Sequence, residues 1–360
     1  MNQRITLPSK LEVKERRLIP TDEIIDLATQ IFQAAGCAVE TAEMVAHHLV
    51  ETNLKGVESH GVMRLMQYVD QLESGYMDPT GQPTLSQNEK GAWLVDGHDG
   101  FGIPALQLGV EKGVAVAKEK GMSTVAIINC GHTGRIGAYV EYGAEAGCLT
   151  ICIGGGGHKA WPQVAPYGGI KGMFPTNPYA FGIPGGARGP VILDFATAKI
   201  AGGWVYAAKS AGTLLPPDAV IDAQGNPTRD PDDYYNGGAI LPMAGPKGYG
   251  LALLAELIGE AMLGPVTTEM NWFLICIDTS LYNEGNKYQA IAEEILQEIR
   301  TSPPASGFNR VEVPGERERD LQAQQLPQGI AIPEPTWQQI VELATRLGVQ
   351  VAPDRQFSND

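Results

Sequence analysis

Two residues near the start of the chain have the types and spacing for acid–base chemistry on an anionic substrate. His60 and Arg64 stand four positions apart in the run Ser59-His60-Gly61-Val62-Met63-Arg64. At about 100° per residue both fall on one face of a helix that Ser59 can cap. An imidazole exchanges a proton near neutral pH, and a guanidinium binds a carboxylate through paired hydrogen bonds. The pattern predicts general acid–base catalysis, with a solvated polar helix face as the structural alternative.

Two clusters of glycine follow apolar, strand-like runs, where backbone amides can approach a ligand closely. The first, residues 131–137, contains His132 and has the spacing G-x-x-G-x-x-G. The second, residues 154–159, is four glycines followed by His158 and Lys159. A Rossmann fingerprint needs G-x-G-x-x-G, and a phosphate-binding loop needs Ser or Thr after its lysine. The spacing therefore argues against both of these nucleotide sites, and ordinary turns are the alternative for both clusters.

Two charged residues occupy unusual places later in the chain. Asp194 ends the apolar run Val191-Ile192-Leu193, and an acid there must be paired or exposed at the end of its strand. Lys247 lies in a turn between glycines, directly before a long apolar segment, where a lysine can reach a phosphate. The alternatives are that Asp194 has only a structural role and that Lys247 is an ordinary surface lysine.

Other histidines and acids lack the spacing of a metal site. His47 and His48 with Glu51 do not form the H-E-x-x-H pattern of zinc enzymes. The acidic segment 222–233 has Gly225 at its fourth position, whereas a calcium loop needs glycine at the sixth. We therefore expect no metal ion, and a tight turn at 222–233.

The composition limits the class of partner. The 26 basic and 41 acidic residues give a net charge of −15, which does not suit nucleic acid or an anionic membrane surface. The first twenty residues lack the apolar core of a signal peptide, and the apolar stretch 251–263 is too short to span a bilayer and is interrupted by Glu256 and Glu260. Five cysteines without a C-x-x-C pair fit the reducing cytoplasm. The 44 glycines and 25 prolines, with 43% hydrophobic residues, indicate a folded, turn-rich protein.

Hydrophobic periodicity indicates helices toward both ends of the chain and strands between them. We predict helices near residues 21–35, 41–49, 59–74, 107–120, 137–146, 249–263, 288–301 and 336–347. We predict strands at 123–129, 149–154, 190–195 and 272–278. Residues 76–100 are rich in turn formers and are predicted as turns.

Nine motifs in one order make the sequence resemble the malate/L-lactate dehydrogenase type 2 family, which are NAD(P)-dependent oxidoreductases without a Rossmann fold. The resemblance spans about residues 20–348 and is strongest to the 2-hydroxycarboxylate dehydrogenases, especially at Gly134-Arg135-Ile136-Gly137. The motifs lie at residues 59–64, 131–137, 164–169, 176–178, 193–197, 215–216, 222–231, 247–251 and 314–316.

The resemblance implies an α+β fold. A mostly antiparallel sheet domain that binds the cofactor is expected to be inserted into a helical domain built from the N- and C-terminal segments. On this basis residues 1–121 form the helical part of the substrate and dimer domain, and residues 122–285 form the cofactor domain. Residues 286–360 form a helical segment that packs on the first part. The family also implies a homodimer.

The resemblance assigns roles to the candidate residues. His60 matches the proton donor and acceptor with Ser59 beside it, Arg64 matches the anchor of the substrate carboxylate, and Thr176 is placed with the substrate. His132 and Asp194 complete the implied catalytic set. The implied cofactor contacts are Leu193, Asp194, Phe195, Ala196, Thr197, Pro246, Lys247, Gly315 and Glu316.

The implied activity is hydride transfer between NAD or NADP and a small 2-hydroxy acid or its 2-keto acid. Malate, lactate, sulfolactate, aryl-lactate, diketogulonate and cyclic imino acids are substrates within such families, so reduction of a cyclic imino acid is an alternative. A catalytically idle relative that binds nucleotide is a second alternative. A phosphate-transferring enzyme that uses residues 154–159 is a third.

Overall fold

The structure, a computed structural model, describes residues 15–210, 213–282 and 287–351. Its helices are α1 (Thr21–Ala34), α2 (Val39–Leu54), α3 (Arg64–Glu73), α4 (Gly102–Lys120), α5 (Gly137–Glu145), α6 (Gly202–Ser210), α7 (Pro231–Tyr235), α8 (Pro246–Glu256), α9 (Lys287–Arg300), α10 (Glu316–Gln325) and α11 (Glu334–Arg346). Its strands are β1 (Arg16–Ile19), β2 (Thr84–Gln87), β3 (Trp93–Asp96), β4 (Met122–Ile128), β5 (Cys148–Gly155), β6 (Pro178–Ile183), β7 (Val191–Ala196), β8 (Val220–Ile221), β9 (Pro227–Thr228), β10 (Ala239–Ile240), β11 (Asn271–Asp278) and β12 (Ile330–Pro333). A 3-10 turn at Glu58–His60 and a π-helical segment at Leu257–Met262 are also present.

Residue contacts divide the chain into two compact units. The described part of the smaller unit comprises residues 15–80 and 318–351, and the larger unit comprises residues 81–317. In the smaller unit β1 pairs antiparallel with β12, with Arg16 opposite Pro333. Helix α1 buries Ile24 and Ile31 at helical spacing and packs on α2. The smaller unit therefore joins an N-terminal and a C-terminal segment of the chain.

The larger unit is built on a seven-stranded sheet in the order β2-β3-β4-β11-β5-β6-β7. Only β3 and β4 run parallel within this sheet, and its other neighbouring strands are antiparallel. Helix α4 packs on β4 and β11, and α5 packs on β5 and β6. Alternate residues of β5, such as Cys148 and Cys152, are fully buried, because successive strand side chains point to opposite faces. The α+β class with a mostly antiparallel sheet is confirmed.

A second, smaller sheet in the order β10-β8-β9 has its own apolar core. The turn between β8 and β9 is the first part of the acidic segment 222–233, and the rest of that segment contains β9 and the start of α7. Asp222 Oδ1 accepts the backbone N–H groups of Gln224 at 2.9 Å and Asn226 at 2.8 Å, and Gly225 adopts a φ of +87°. The predicted tight turn is confirmed. Within the described ranges, no group of three His, Cys, Asp or Glu residues is arranged to hold a metal ion.

The run of four glycines has a packing role at the end of β5. A Cβ on Gly155 would lie 1.9 Å from the carbonyl oxygen of Ala255 in α8. A Cβ on Gly259, in the π-helical segment, would lie 2.1 Å from the carbonyl carbon of Gly155. Strand and helix backbones therefore touch here, and only glycine permits that approach.

Because of this backbone contact, we expect a single added methyl group to lower the stability of the protein strongly. Gly259→Ala is expected to destabilise the protein by about 1–3 kcal/mol, because neither backbone can move aside without breaking its own hydrogen bonds. Gly250→Ala is the matched control: Gly250 lies in α8, and apart from its chain neighbours and its own helix backbone no atom lies within 4 Å of its Cβ position. Alanine also favours a helix over glycine by up to about 1 kcal/mol. Urea unfolding should give midpoints on opposite sides of the wild-type value. Equal midpoints for the two variants would contradict the close contact.

All five cysteines are free thiols and buried. Burial raises the pKa of Cys37 to about 12 and that of Cys276 to about 11. Since the thiolate is the reactive form, the native protein is expected to react with Ellman's reagent at pH 8 at least about 100-fold more slowly than the unfolded protein. A single rapidly reacting thiol in the native protein would contradict this expectation.

The predicted helices and strands are found at shifted bounds, and the structure adds elements that were not predicted, among them β1, β6, β12, α6 and α10. Residues 76–100, predicted as turns, contribute β2 and β3, with Thr84 opposite Asp96. Strand β3 also pairs with β4, so pairing in the sheet fixes these short strands. None of the helices within the described ranges has the length and apolarity to cross a membrane. The expectation about a signal peptide concerns residues 1–20, and residues 1–14 lie outside the described ranges.

Candidate active site

The His60 segment folds differently from the predicted helix. Helix α3 begins at Arg64, its N-cap residue is Met63, and His60 ends the preceding 3-10 turn. Helix capping by Ser59 is therefore wrong. The cause is Gly61, whose extended backbone (φ −94°, ψ −151°) interrupts the helical path.

Two buried side chains hold this turn, one from α2 and one from the turn itself. Asn53 Oδ1, at the end of α2, accepts the backbone N–H of Val62 at 2.7 Å. A Cβ on Gly61 would lie 1.8 Å from the same oxygen, so glycine is required there. Glu58 is 7% exposed and is paired with Arg16 of β1, whose Nη2 lies 3.1 Å from Glu58 Oε2. The 3-10 turn is thus fixed from both sides before it presents His60.

The structure brings His60 and Arg64 together through Ser59. Ser59 Oγ lies 3.0 Å from His60 Nδ1, and Arg64 Nε donates to the Ser59 carbonyl oxygen at 2.7 Å. Arg64 Nη1 also donates to Gln67 Oε1, one turn further along α3. Among the described residues, these contacts use two of the five guanidinium N–H groups, which leaves one N–H of Nη1 and both of Nη2 to bind a carboxylate. His60 and Arg64 are both half-buried.

In the larger unit, the loop of His132 is tied to β7. His132 Nδ1 accepts the backbone N–H of Gly134 at 3.1 Å, and Gly134 has a φ of +67°. At the loop's end, Gly137 donates its N–H to Asp194 Oδ2 at 2.8 Å. Asp194 is an exposed residue that accepts a hydrogen bond at the start of α5, which suits the positive end of a helix dipole. It lies within β7, opposite Ala180, and not at the end of the strand as predicted.

The end of β7 is joined to two further predicted segments. Thr197 donates both its backbone N–H and its Oγ1 hydroxyl to the Thr176 carbonyl oxygen, each at 2.9 Å. The Thr197 carbonyl oxygen accepts the backbone N–H of Met243 at 2.8 Å, three residues before Pro246. Thr176, Thr197 and the turn that carries Lys247 therefore lie side by side.

The turn before α8 places an exposed lysine at the start of a helix. Pro246 is the first residue of α8, where its fixed φ suits a helix start, and Gly245 before it has a φ of +58°. Lys247 is exposed at the second helical position. The backbone N–H groups of Gly248 and Tyr249 already donate to the carbonyl oxygens of Met243 and Gly245. The exposed lysine and the positive end of the helix dipole are therefore what this turn offers a phosphate.

Gly315 and Glu316 flank the other end of β7. The Pro314 carbonyl oxygen accepts the backbone N–H of Ile192 at 3.1 Å, which places this segment along the strand. Glu316 is only 2% exposed, and its Oε1 lies 2.7 Å from Arg300 Nε and 3.6 Å from Arg188 Nε. Its carboxylate is thus held in a buried ion pair, and the backbone of this segment is the part that lies beside β7.

The predicted site residues form two groups. Ser59, His60 and Arg64 belong to the smaller unit, and the His132 loop, Thr176, residues 193–197, Lys247 and residues 315–316 belong to the larger unit. Sequence reasoning missed Glu256, a buried acid in the apolar helix α8. The only signal was a charge within an otherwise apolar stretch.

The residues of the larger unit fit a dinucleotide. Lys247 at the start of α8 provides a cation for phosphate, and the exposed Asp194 carboxylate provides an acceptor for ribose hydroxyls. Leu193 is 46% exposed and Phe195 half-buried, and together they provide apolar surface for an aromatic ring. The donor set therefore suits the phosphates, sugars and rings of a nicotinamide cofactor.

Comparison with known proteins assigns the family. The model of the malate/L-lactate dehydrogenase family matches residues 19–341. The Delta(1)-pyrroline-2-carboxylate/Delta(1)-piperideine-2-carboxylate reductase of Pseudomonas putida is 33% identical over 341 residues, which cover 90% of this chain and 96% of that protein. The ureidoglycolate dehydrogenase (NAD(+)) of Escherichia coli O157:H7 is 28% identical over 85% of this chain and 90% of its own length.

A solved structure agrees with this assignment. The malate dehydrogenase of Pyrococcus horikoshii OT3 superimposes with a TM-score of 0.83 at 27% identity, over 95% of this chain and 99% of that one. The family match covers far more than half of the chain, and the fold agrees throughout most of it. The chain belongs to the malate/L-lactate dehydrogenase family, and it is an oxidoreductase of the 2-hydroxy-acid dehydrogenase or related reductase type.

Proposed function

We propose that the protein is an NAD(P)-dependent oxidoreductase that interconverts a small 2-hydroxy acid and its 2-keto acid. The observation that carries the proposal is the link of His60 and Arg64 through Ser59, with Nδ1–Oγ and Nε–O distances of 3.0 and 2.7 Å. A proton-exchanging group and a carboxylate-binding group are what a hydroxy acid requires. The bound cofactor would supply the hydride.

His60 is the proposed proton donor and acceptor. With Nδ1 oriented by the Ser59 hydroxyl, Nε2 is the nitrogen that takes the proton of the substrate hydroxyl during oxidation. In the reverse direction the imidazolium returns that proton to the oxygen and stabilises its developing negative charge. Ser59 positions the ring, and His132 and Asp194 complete the proposed catalytic set.

Arg64 is the proposed anchor of the substrate carboxylate. Its Nη1–Nη2 edge offers paired donors, while Ser59 and Gln67 fix the plane of the guanidinium. Holding the carboxylate fixes the neighbouring carbon, and correct positioning can account for several kcal/mol of the barrier reduction. Thr176 is proposed to contact the same substrate.

The larger unit is proposed to hold NAD or NADP. Lys247 and Pro246 at the start of α8 would bind phosphate, and Leu193, Phe195, Ala196 and Thr197 would line the ring and sugar positions. The name of the NAD(+)-dependent E. coli relative supports a nicotinamide cofactor. Gly315 and Glu316 are proposed to support the cofactor site through their backbone, which lies beside the start of β7.

Reduction of a cyclic imino acid is the second candidate. The P. putida relative is named for such substrates. A cyclic imino acid also carries a carboxylate beside the reducible carbon, so Arg64 would have the same role for both substrate classes. We propose a homodimer in the cytoplasm; the five buried free thiols support a reducing compartment.

A spectrophotometric panel tests the proposal. The protein is mixed with NADH or NADPH and with one candidate substrate at a time. The candidates are the 2-keto acids that correspond to malate, lactate and aryl-lactate, and the cyclic imino acids with five- and six-membered rings. Consumption of reduced cofactor with 2-keto acids supports the first candidate, and consumption with imino acids alone supports the second. Binding of cofactor without turnover on any substrate would favour the idle relative instead.

A further inference from the structure

Glu256 is a buried carboxylate with three hydrogen-bond donors around it. It is 7% exposed at the end of α8. Its Oε1 accepts the backbone N–H of Gly156 at 3.1 Å and the side-chain Nδ2 of Asn177 at 2.5 Å, and its Oε2 accepts the backbone N–H of His158 at 3.0 Å. Hydrogen bonds to an ionised acceptor are about twice as strong as neutral ones. The carboxylate therefore ties the glycine run of β5 to the segment of Asn177.

Asn177 connects this carboxylate to the proposed cofactor site, which comprises residues 193–197 and Lys247. Its side chain is fully buried and its backbone has a φ of +39°, a left-handed conformation that needs support from its surroundings. The preceding residue is Thr176, whose carbonyl oxygen accepts the two hydrogen bonds from Thr197 at the end of β7. The orientation of that carbonyl depends on the backbone at Asn177, because one peptide unit joins the two residues.

We propose that Glu256 is a positioning residue for cofactor binding. Its carboxylate holds Asn177 in the left-handed conformation, Asn177 orients the Thr176 carbonyl, and that carbonyl fixes the end of β7 beside the turn of Lys247. This inference rests on the proposed function, since it assumes that residues 193–197 and Lys247 bind NAD or NADP. When the cofactor site is already fixed before binding, the protein loses less conformational entropy as the cofactor binds.

Glu260, one turn later, provides a matched comparison. It lies 2.8 Å from His158 Nδ1 and 3.3 Å from Lys159 Nζ, and its side chain is 29% exposed. It has no hydrogen bond to Asn177 among the described residues. His158 Nδ1 also lies 3.5 Å from Glu256 Oε2. The same substitution at Glu260 thus changes the same charge beside the same histidine but leaves the hydrogen bond between Glu256 and Asn177 in place.

The test uses the full chain with Glu256→Gln, Asn177→Asp, the double variant, and Glu260→Gln as control. Glu256→Gln presents an amide to N–H donors, and Asn177→Asp places two carboxylates together. We expect each single variant to raise the Kd for NADH or NADPH, measured by fluorescence titration, about ten-fold or more. In the double variant the new amide can donate to the new carboxylate, so part of the affinity should return. Glu260→Gln should change the Kd less than about two-fold.

Hydrogen exchange in the protein without cofactor gives a second readout. We expect the Thr197 backbone N–H to exchange faster in both single variants, and at the wild-type rate in Glu260→Gln, because its acceptor is the Thr176 carbonyl.

A merely structural role predicts lower unfolding midpoints with unchanged Thr197 exchange and unchanged Kd in the folded protein, and this result would overturn the inference. If Glu256→Gln does not fold, Asn177→Asp and the double variant give the same comparison. A wild-type protein that binds neither cofactor would instead reject the proposed function, while Thr197 exchange would still report on the positioning link.

Discussion

The His60→Asn variant is expected to reduce its best substrate about 10²–10⁴-fold more slowly than the wild-type protein, measured as kcat at saturating substrate and cofactor. Asparagine keeps a polar side chain near the Ser59 hydroxyl, 3.0 Å from the present Nδ1, but it cannot exchange a proton. The Kd for reduced cofactor should change less than about two-fold, because His60 is assigned to the substrate.

His47→Asn is the matched control for this prediction. His47 lies exposed on α2 in the same compact unit, so the same chemical change is made away from the proposed proton path. Its kcat should equal that of the wild-type protein. If His60→Asn retained kcat within about five-fold, another group would have to exchange the proton, and His132 would be the next residue to replace.

The Arg64→Gln variant is expected to raise the KM for a carboxylate substrate about 100-fold. Glutamine can still contact the Ser59 carbonyl, but it lacks the charge and the paired donors of the Nη1–Nη2 edge. The corresponding primary amide of the substrate carries no charge, so its KM should change much less. KM values for acid and amide, measured in parallel, separate loss of the anchor from loss of structure.

Arg346→Gln is the control for charge in the same unit. Arg346 forms an exposed ion pair with Glu73, at 2.6 Å, and such surface pairs contribute about 0–1 kcal/mol. We expect wild-type KM values for this variant. Equal increases in KM for acid and amide after Arg64→Gln, or an equal increase in the Kd for cofactor, would contradict the anchor role.

Much of the fold could be predicted because its strongest elements are periodic in sequence. Ile24 and Ile31 mark α1 by helical spacing, and the continuous apolar run of β11 marks a strand buried in the centre of the sheet. Strands β2 and β3 could not be predicted in this way. They have four residues each; β2 is held by pairing with β3, and β3 is held by pairing with β4. Strand pairing with a segment elsewhere in the chain leaves no local pattern.

The candidate site was predicted in its residue types but not in its geometry. His60 and Arg64 were identified as neighbours on a helix face, whereas they are joined through Ser59 across a 3-10 turn and the start of α3. The decisive residues are Gly61 and Asn53, and their contact depends on how α2 packs. Glu256 was missed for the same reason: the donors that justify a buried acid come from residues about 80 and 100 positions earlier.

Transfer of deuterium from the cofactor tests the central claim most directly. NADH or NADPH labelled with deuterium at C4 is supplied as each of its two epimers, together with the substrate that the panel identifies, and the product is analysed by NMR and mass spectrometry. We predict that one epimer gives a product with one deuterium at the carbon next to the carboxylate and that the other epimer gives none. Unlabelled product from both epimers would contradict hydride transfer by this protein.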